Sequence, residues 1–255
     1  MRVALKFAYD GEPFYGYARQ PKLKTVEGNI IDSLIKTSYI ENSKDAVFRS
    51  ASRTDKGVSS FGNVVAFNTE KNIKNLLKEC NEKLDDIIIF GIKEVDVDFY
   101  PRFAKQRVYQ YYLKKHNFKL QTILSTVKLF IGMHNFSNFA RIEPFKDPER
   151  TIEDIKLVES SDFYILEFYA QTYLWHQIRR MISAIIKVEI GKISQKDIKN
   201  ALNCPEERVD FGLADSAPLI LNGVLYDFSF IKNDKWEKKK EEMKEHLINR
   251  IRCLS

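Results

Sequence analysis

Residues 2–9, Arg2-Val3-Ala4-Leu5-Lys6-Phe7-Ala8-Tyr9, alternate with a period of two, placing Val3, Leu5, Phe7 and Tyr9 on one face. That pattern predicts a strand with one buried face. Asp10-Gly11, which follows, has the chemistry of a turn. Further on the period changes. Val26, Ile30, Ile31, Leu34 and Ile35 recur at helical spacing up to about Ile40, behind Thr25 as an N-cap. Residues 46–52 and 63–68 read as strands around a polar loop that runs from Arg53 to Phe61. Ile73, Leu76, Leu77 and Cys80 mark one side of a second helix, and Ile87 to Val95 a further strand. The order β-α-β-β-α-β is that of the split, ferredoxin-like unit.

The second half repeats the same kinds of element. Arg107 to Lys115 is a strand rich in Tyr. Residues 151–159 and 163–171 form a hairpin around Ser160-Ser161-Asp162. Leu174 to Ile190 is a long helix, Ser194 to Asn203 a shorter one capped by Ser194, and Leu219 to Tyr226 a last strand. The expected architecture is two α+β units with largely antiparallel sheets, at residues 1–100 and 101–232. The rest, 233–255, is a charged amphipathic helix whose run WEKKKEEMKEHLINRI reads as a solvated face.

Composition narrows the function classes. The chain has 255 residues, enough for one large or two small domains. Apolar residues at 44% and charged residues at 30% are globular values. The formal net charge of +6 suits a polyanion partner without establishing one. Cys80, Cys204 and Cys253 are widely spaced and form no CxxC, which argues against a disulfide framework or zinc ribbon and for a reducing compartment. His116, His134, His176 and His246 form no HxH or HxxxH pair, so no metal site is expected. The N-terminus lacks a signal-peptide core, and the apolar run from Ile87 to Ile92 is too short for a bilayer. The expectation is a soluble, cytoplasmic protein with no membrane association and no cofactor.

The loop Ser52-Arg53-Thr54-Asp55-Lys56-Gly57-Val58-Ser59 is the most informative for chemistry. A polar loop clasped between two strands is a place where catalytic groups are held. Flanking cations such as Arg53 and Lys56 stabilise an ionised carboxylate, and such a carboxylate is able to act as a nucleophile. The same residues also fit a β-turn whose Asp bonds its own backbone. On the residues alone the turn is the simpler account.

A resemblance reverses that balance. SRTDKGVSS closely resembles the G-R-T-D-x-G-V-x-x signature of the tRNA pseudouridine synthase A family. FAYDGEPFYGYARQP, beginning at Phe7, is similar to the family's Y-D-G-x-x-(Y/F)-x-G-(W/Y)-x-x-Q segment, and TVEGNIIDSL to the helix after it. Arg102-Phe103 followed by Arg107-Val108-Tyr109-Gln110-Tyr111, HNFSNF (134–139) and AQTYLWHQIRRMISAII (170–186) resemble further family segments in the same order. The resemblance spans residues 2 to about 227. Ser52 departs from the usual Gly, Val108 from a second basic residue, and Gln177-Ile178 from Met-Val.

The resemblance implies two ferredoxin-like domains whose sheets join around a central cleft that holds the site. It implies isomerisation of uridine to pseudouridine in the anticodon stem-loop of tRNA, at positions 38 to 40 in tRNA numbering, by a homodimer. The base is detached, turned and rejoined through carbon, so atoms balance without a metal or redox cofactor, and the nucleotide is flipped to reach the site. Asp55 becomes the nucleophile and Tyr109 the site tyrosine, a flat face for uracil with a hydroxyl for proton transfer.

Arg179 becomes the cation beside Asp55. At about 100° per residue from Leu174, Arg179 falls near 140°, at the margin of the apolar arc, and Arg180 near 240°, on the open face. By periodicity alone Arg179 equally fits a side chain that snorkels at the core edge. Arg53 would contact phosphate or fill the gap left by the flipped base. Lys22, Lys24, Arg102, Lys105 and Arg180 would track the RNA backbone. Two other readings compete: a non-catalytic RNA-binding protein of ferredoxin-like fold, and a synthase acting at other tRNA positions.

Overall fold

A computed structural model describes residues 1–115 and 118–254. His116, one of the four histidines weighed above, and Ser255, the end of the expected tail, lie outside the described residues. The chain divides into two compact units, Met1–Lys105 with Ile220–Ser255, and Gln106–Leu219.

The first unit opens with strand β1 (Arg2–Tyr9), helix α1 (Val26–Lys36), a short β2 (Arg49–Ser50) and the long β3 (Ser59–Asn68). A 3-10 turn (Ile73–Asn75), α2 (Leu76–Asn81) and β4 (Ile87–Val95) follow. The expected β-α-β-β-α-β order is present. β4, β1, β3 and β2 lie side by side in that order, every pair antiparallel. Thr25 caps α1 by accepting from the Gly28 N–H. Val3, Leu5, Phe7 and Tyr9 pack against Val26, Ile30 and Leu34 of α1 and Leu76 and Cys80 of α2.

Local chemistry shortened several expected elements. α1 ends at Lys36 because Ser38 takes a positive φ of 58°, and Ile35 stays exposed. β2 spans two residues instead of seven, since residues 42–48 form a turn in which Asn42 Oδ1 accepts from the N–H groups of Lys44 and Asp45.

The second unit holds β5 (Gln106–Lys114), α3 (Leu120–Val127), β6 (Gly132–Asn135), β7 (Glu149–Ile152), β8 (Asp154–Glu159), β9 (Phe163–Ala170), α4 (Gln177–Glu189) and α5 (Gln195–Asn203). β5, β9 and β8 are neighbours in that order, both pairs antiparallel. The expected strand 151–159 is divided: β8 forms the predicted hairpin with β9, while β7 pairs with β6 in a separate two-stranded sheet. α4 begins three residues later than Leu174, because His176 has a left-handed φ of 65° and cannot continue a helix backwards. Ser194 and Asp197 close α5 with a reciprocal capping box.

The chain then returns to the first unit. β10 (Leu219–Leu225) runs parallel to the start of β3, with Ile220 opposite Ser59. β11 (Ile231–Lys232) adds to β4, and α6 (Asp234–Cys253) completes the chain. This corrects the expected boundary at 232, because the last strand and the tail helix pack with residues 1–105. The tail is also more than a solvated face. Trp236, Leu247 and Ile251 form a buried stripe, and Trp236 clusters with Ala8 and Phe90 on the side of the sheet away from α1. β1 is therefore buried on both faces, not one. Small side chains at Ala4 and Ala8 fit a strand covered on that second face. Among the described residues no helix is long and apolar enough to cross a membrane.

Leu247 is 1% exposed. Leu247→Ala is expected to lower the unfolding free energy by about 2–5 kcal/mol, read from denaturant melts. A change under about 0.5 kcal/mol, the size of an ordinary surface effect, would mean that α6 is not docked.

Candidate active site

In the first unit a tight turn leads into β3. Ala51 N–H donates to the Val64 carbonyl at 2.8 Å, and the buried Asn63 side chain donates to the Ser52 carbonyl at 2.9 Å. The chain then crosses over Arg53 and Thr54 into a β-turn in which the Val58 N–H returns to the Asp55 carbonyl at 3.2 Å. Gly57 has φ 82°, the positive value that the third position of a type II turn needs. Asp55 is half-buried and Arg53 exposed. Lys56 lies with Nζ 4.6 Å from the centre of the Tyr15 ring, so its charge is engaged there.

The segment after β1 holds this turn. Tyr9 and Thr54 share a hydroxyl hydrogen bond of 2.8 Å. The Gly11 N–H donates to Ser59 Oγ at 2.9 Å, and a Cβ on Gly11 would stand 2.3 Å from the Val58 carbonyl oxygen. Gly16, at φ 103°, passes the backbone of Thr54 to Lys56, and the Tyr17 N–H donates to the Thr54 carbonyl at 3.1 Å. The Tyr17 hydroxyl donates to Ser50, which donates to Glu27. Burial first, and then the Glu27 charge, push the Tyr17 hydroxyl well above its usual range, so it stays a neutral donor. None of these supports was read from the sequence. They join residues tens of positions apart, and only the Gly and Tyr positions of the FAYDGEPFYGYARQP segment signalled them.

In the second unit α4 carries Arg179. Its Nε donates to the Ala214 carbonyl at 2.8 Å, and the Ala214 N–H returns to the Arg179 carbonyl at 3.2 Å. Ser183 Oγ bonds the Phe211 carbonyl at 2.6 Å, so the segment around 210–214 is stitched along the helix. Tyr109 lies on β5 opposite Phe168, is 8% exposed, and meets the Tyr173 ring edge-on at 5.3 Å. Tyr111, on the same face, is buried, which pushes its hydroxyl up. The Asp215 charge adds to that rise and the Arg179 charge opposes it. Asp215 was not foreseen, since its neighbours are more than 30 residues away in sequence. HNFSNF proves to be packing: Phe136 and Phe139 are fully buried, and Asn138 bonds the carbonyls of Ala201 and Glu207.

Three of the five expected backbone cations form ion pairs. Lys24 pairs with Asp86 at 3.0 Å, Lys105 with Asp227 at 2.7 Å, and Arg180 with Asp210 at 2.7 Å. Arg180 is half-buried and not on an open face. Lys22 is exposed with φ 64°, and Arg102 is exposed in the turn from Tyr100 to Phe103.

Comparison with known proteins sets these features in a family. Residues 126–227 match the profile of the family described as tRNA pseudouridine synthase. The chain is 42% identical over 250 residues to tRNA pseudouridine synthase A of Thermococcus sibiricus, covering 96% of this chain and 93% of that protein. The chain belongs to the tRNA pseudouridine synthase A family. The Pyrococcus abyssi member is 38% identical over 255 residues, 98% of this chain and 95% of that one. Among solved structures, a Cbf5-Nop10-Gar1 complex aligns with a TM-score of 0.37 at 13% identity over 72% of this chain and 44% of that one, too distant to carry an argument. As a member of the family the protein is a tRNA pseudouridine synthase, an isomerase acting on uridine in tRNA.

Gly11→Ala drives a methyl into the Val58 carbonyl, which cannot retreat because β3 begins at the next residue. The expected result is a loss of about 1–3 kcal/mol of stability together with a slower reaction, measured by thermal melts and single-turnover pseudouridine formation.

Proposed function

We propose that Asp55 is the nucleophile of this synthase, that Arg179 is the cation that serves it, and that Tyr109 stacks on the uracil and takes part in proton transfer. The observation that carries this reading is the Asp55 turn, fixed by Tyr9, Gly11, Gly16 and Tyr17, in a chain with family relatives along nearly its whole length. The reaction breaks the bond from C1′ to N1 of uracil and forms one from C1′ to C5. C5 loses its proton and N1 gains one, so no oxidant or reductant enters. A rigid turn suits this chemistry, since a carboxylate must meet the flipped nucleotide in one orientation.

In the same reading the targets are the anticodon stem-loop uridines at positions 38 to 40, the enzyme is a cytoplasmic homodimer, and both units are ferredoxin-like. The β4-β1-β3-β2 order of the first unit and the β5-β9-β8 order of the second support the last point. Arg53 contacts phosphate or fills the gap left by the flipped base, and Lys22, Lys24, Arg102, Lys105 and Arg180 contact the RNA backbone. The ion pairs of Lys24 and Lys105 do not oppose this, because exposed pairs are worth little and exchange readily with phosphate.

Asp55→Asn is expected to bind tRNA and form no pseudouridine. Full activity in that variant would overturn the assignment. Arg179→Ala is expected to lower the single-turnover rate by about a hundredfold while tRNA affinity changes little. Equal losses in rate and affinity would make Arg179 a binding residue only.

A further inference from the structure

The tail helix reaches the turn that carries Asp55 through one ion pair. Asp10, the first residue beyond β1, is 9% exposed. A carboxylate so far from water needs a counter-charge. Arg250, in the last turn of α6 and 240 residues away in sequence, supplies it. Its Nη1 and Nη2 meet Oδ2 and Oδ1 of Asp10 at 2.5 and 2.6 Å, and Nη1 also meets Glu12 Oε2 at 2.5 Å. A two-pronged guanidinium–carboxylate contact fixes orientation as well as charge. Burial pushes the Asp10 carboxyl up, but the Arg250 hydrogen bond, the Glu12 N–H and the nearby charges of Arg250 and His246 more than offset it. The carboxyl is held below its usual range.

Asp10 is itself tied to the backbone around it. Its N–H donates to the Asp86 carbonyl at 3.0 Å, and its Oδ1 accepts from the Glu12 N–H at 3.0 Å. The next residue, Gly11, donates to Ser59 Oγ and abuts the Val58 carbonyl, with no room for a side chain. The N–H of the same residue, Val58, closes the turn that begins at Asp55. Two backbone residues therefore separate the Arg250 clamp from the turn. Docking of the helix does not call for this pair, because Trp236, Leu247 and Ile251 already bury a stripe of α6.

We propose that Arg250 is a positioning residue: it clamps Asp10, and through the Asp10–Gly11 turn holds Val58 and the orientation of Asp55. The proposal rests on the reading of Asp55 as nucleophile. A small displacement of a reacting group costs rate far more than it costs binding.

The test uses the full-length protein in excess over tRNA labelled with tritium at uridine C5, the atom that loses its proton. Rates are measured at a temperature where circular dichroism shows each variant folded, with tRNA affinity measured alongside. Arg250→Ala is expected to slow tritium release by about tenfold or more with Kd within about twofold. Arg250→Lys, which keeps the charge but loses the fork, is expected to fall between. Asp10→Asn is expected to match Arg250→Ala, and the double variant to be no slower than the slower single one, because the two side chains act as one pair. A full rate in folded Arg250→Ala, a loss confined to Kd, or additive losses in the double variant would overturn the proposal. If Arg250→Ala does not fold, full rates in both Arg250→Lys and Asp10→Asn overturn it equally. Asp55→Asn is run in parallel. If it is active, the Asp55 reading fails and this proposal with it. If it is inactive while Arg250→Ala runs at full rate, this proposal alone fails.

Discussion

Tyr9 of β1 pairs with Ser60 of β3, across an irregularity in the ladder between Phe7 and Tyr9. The antiparallel register therefore brings the end of β1 to the beginning of β3. Everything in the Asp55 turn follows from that meeting. Residues 9–17 leave β1 and residues 54–58 enter β3 at the same edge of the structure, so they must pack on each other. Gly11 and Gly16 are the residue type that allows so close an approach. β10 adds a parallel neighbour on the far side of Ser59 and Ser60, with Ser60 Oγ donating to the Leu221 carbonyl at 2.9 Å. The turn is thus mounted on a strand end held from both sides. That is a suitable support for the carboxylate proposed above as the nucleophile.

The same sheet explains the tail. A strand covered on both faces must keep its second face small or apolar, and β1 offers Ala4 and Ala8 there, with Lys6 reaching out over the Phe230 ring. α6 covers that face with three buried side chains and with Lys240 over the Phe90 ring, and leaves most of its other Lys and Glu residues to solvent. Its polar face is as solvated as the charge run suggests. The contacts that matter are the few residues on the other side and Arg250 at the end.

Much of the fold is legible where the determining chemistry is local. The alternation of residues 2–9, the Thr25 and Ser194 caps, and the turn chemistry around Gly57 each act within a few residues, and each was read from the sequence. So was the candidate nucleophile, though only the family resemblance chose it over a simple turn. What was not legible depends on distant partners. Nothing in Glu149–Ile152 says that it pairs with Gly132–Asn135 and not with β9. Leu120–Val127 has a helix's apolar face but is rich in β-branched and hydroxyl residues, and no reading assigned it. The left-handed His176 shortens α4 at a residue type that gives no warning. The Asp10–Arg250 pair and the bonds between Arg179 and Ala214 are likewise beyond any spacing rule. Asp55, Arg179 and Tyr109 stand out in the sequence only as candidates, through the family resemblance. Their supports do not stand out.

The central claim is that this chain isomerises anticodon stem-loop uridines with its own side chains. Mapping pseudouridine in bulk unmodified tRNA, after incubation with the purified protein and no added cofactor, tests it most directly. The account predicts pseudouridine at positions 38 to 40 and no product with Asp55→Asn. Pseudouridine confined to other positions, or none at all, would contradict it.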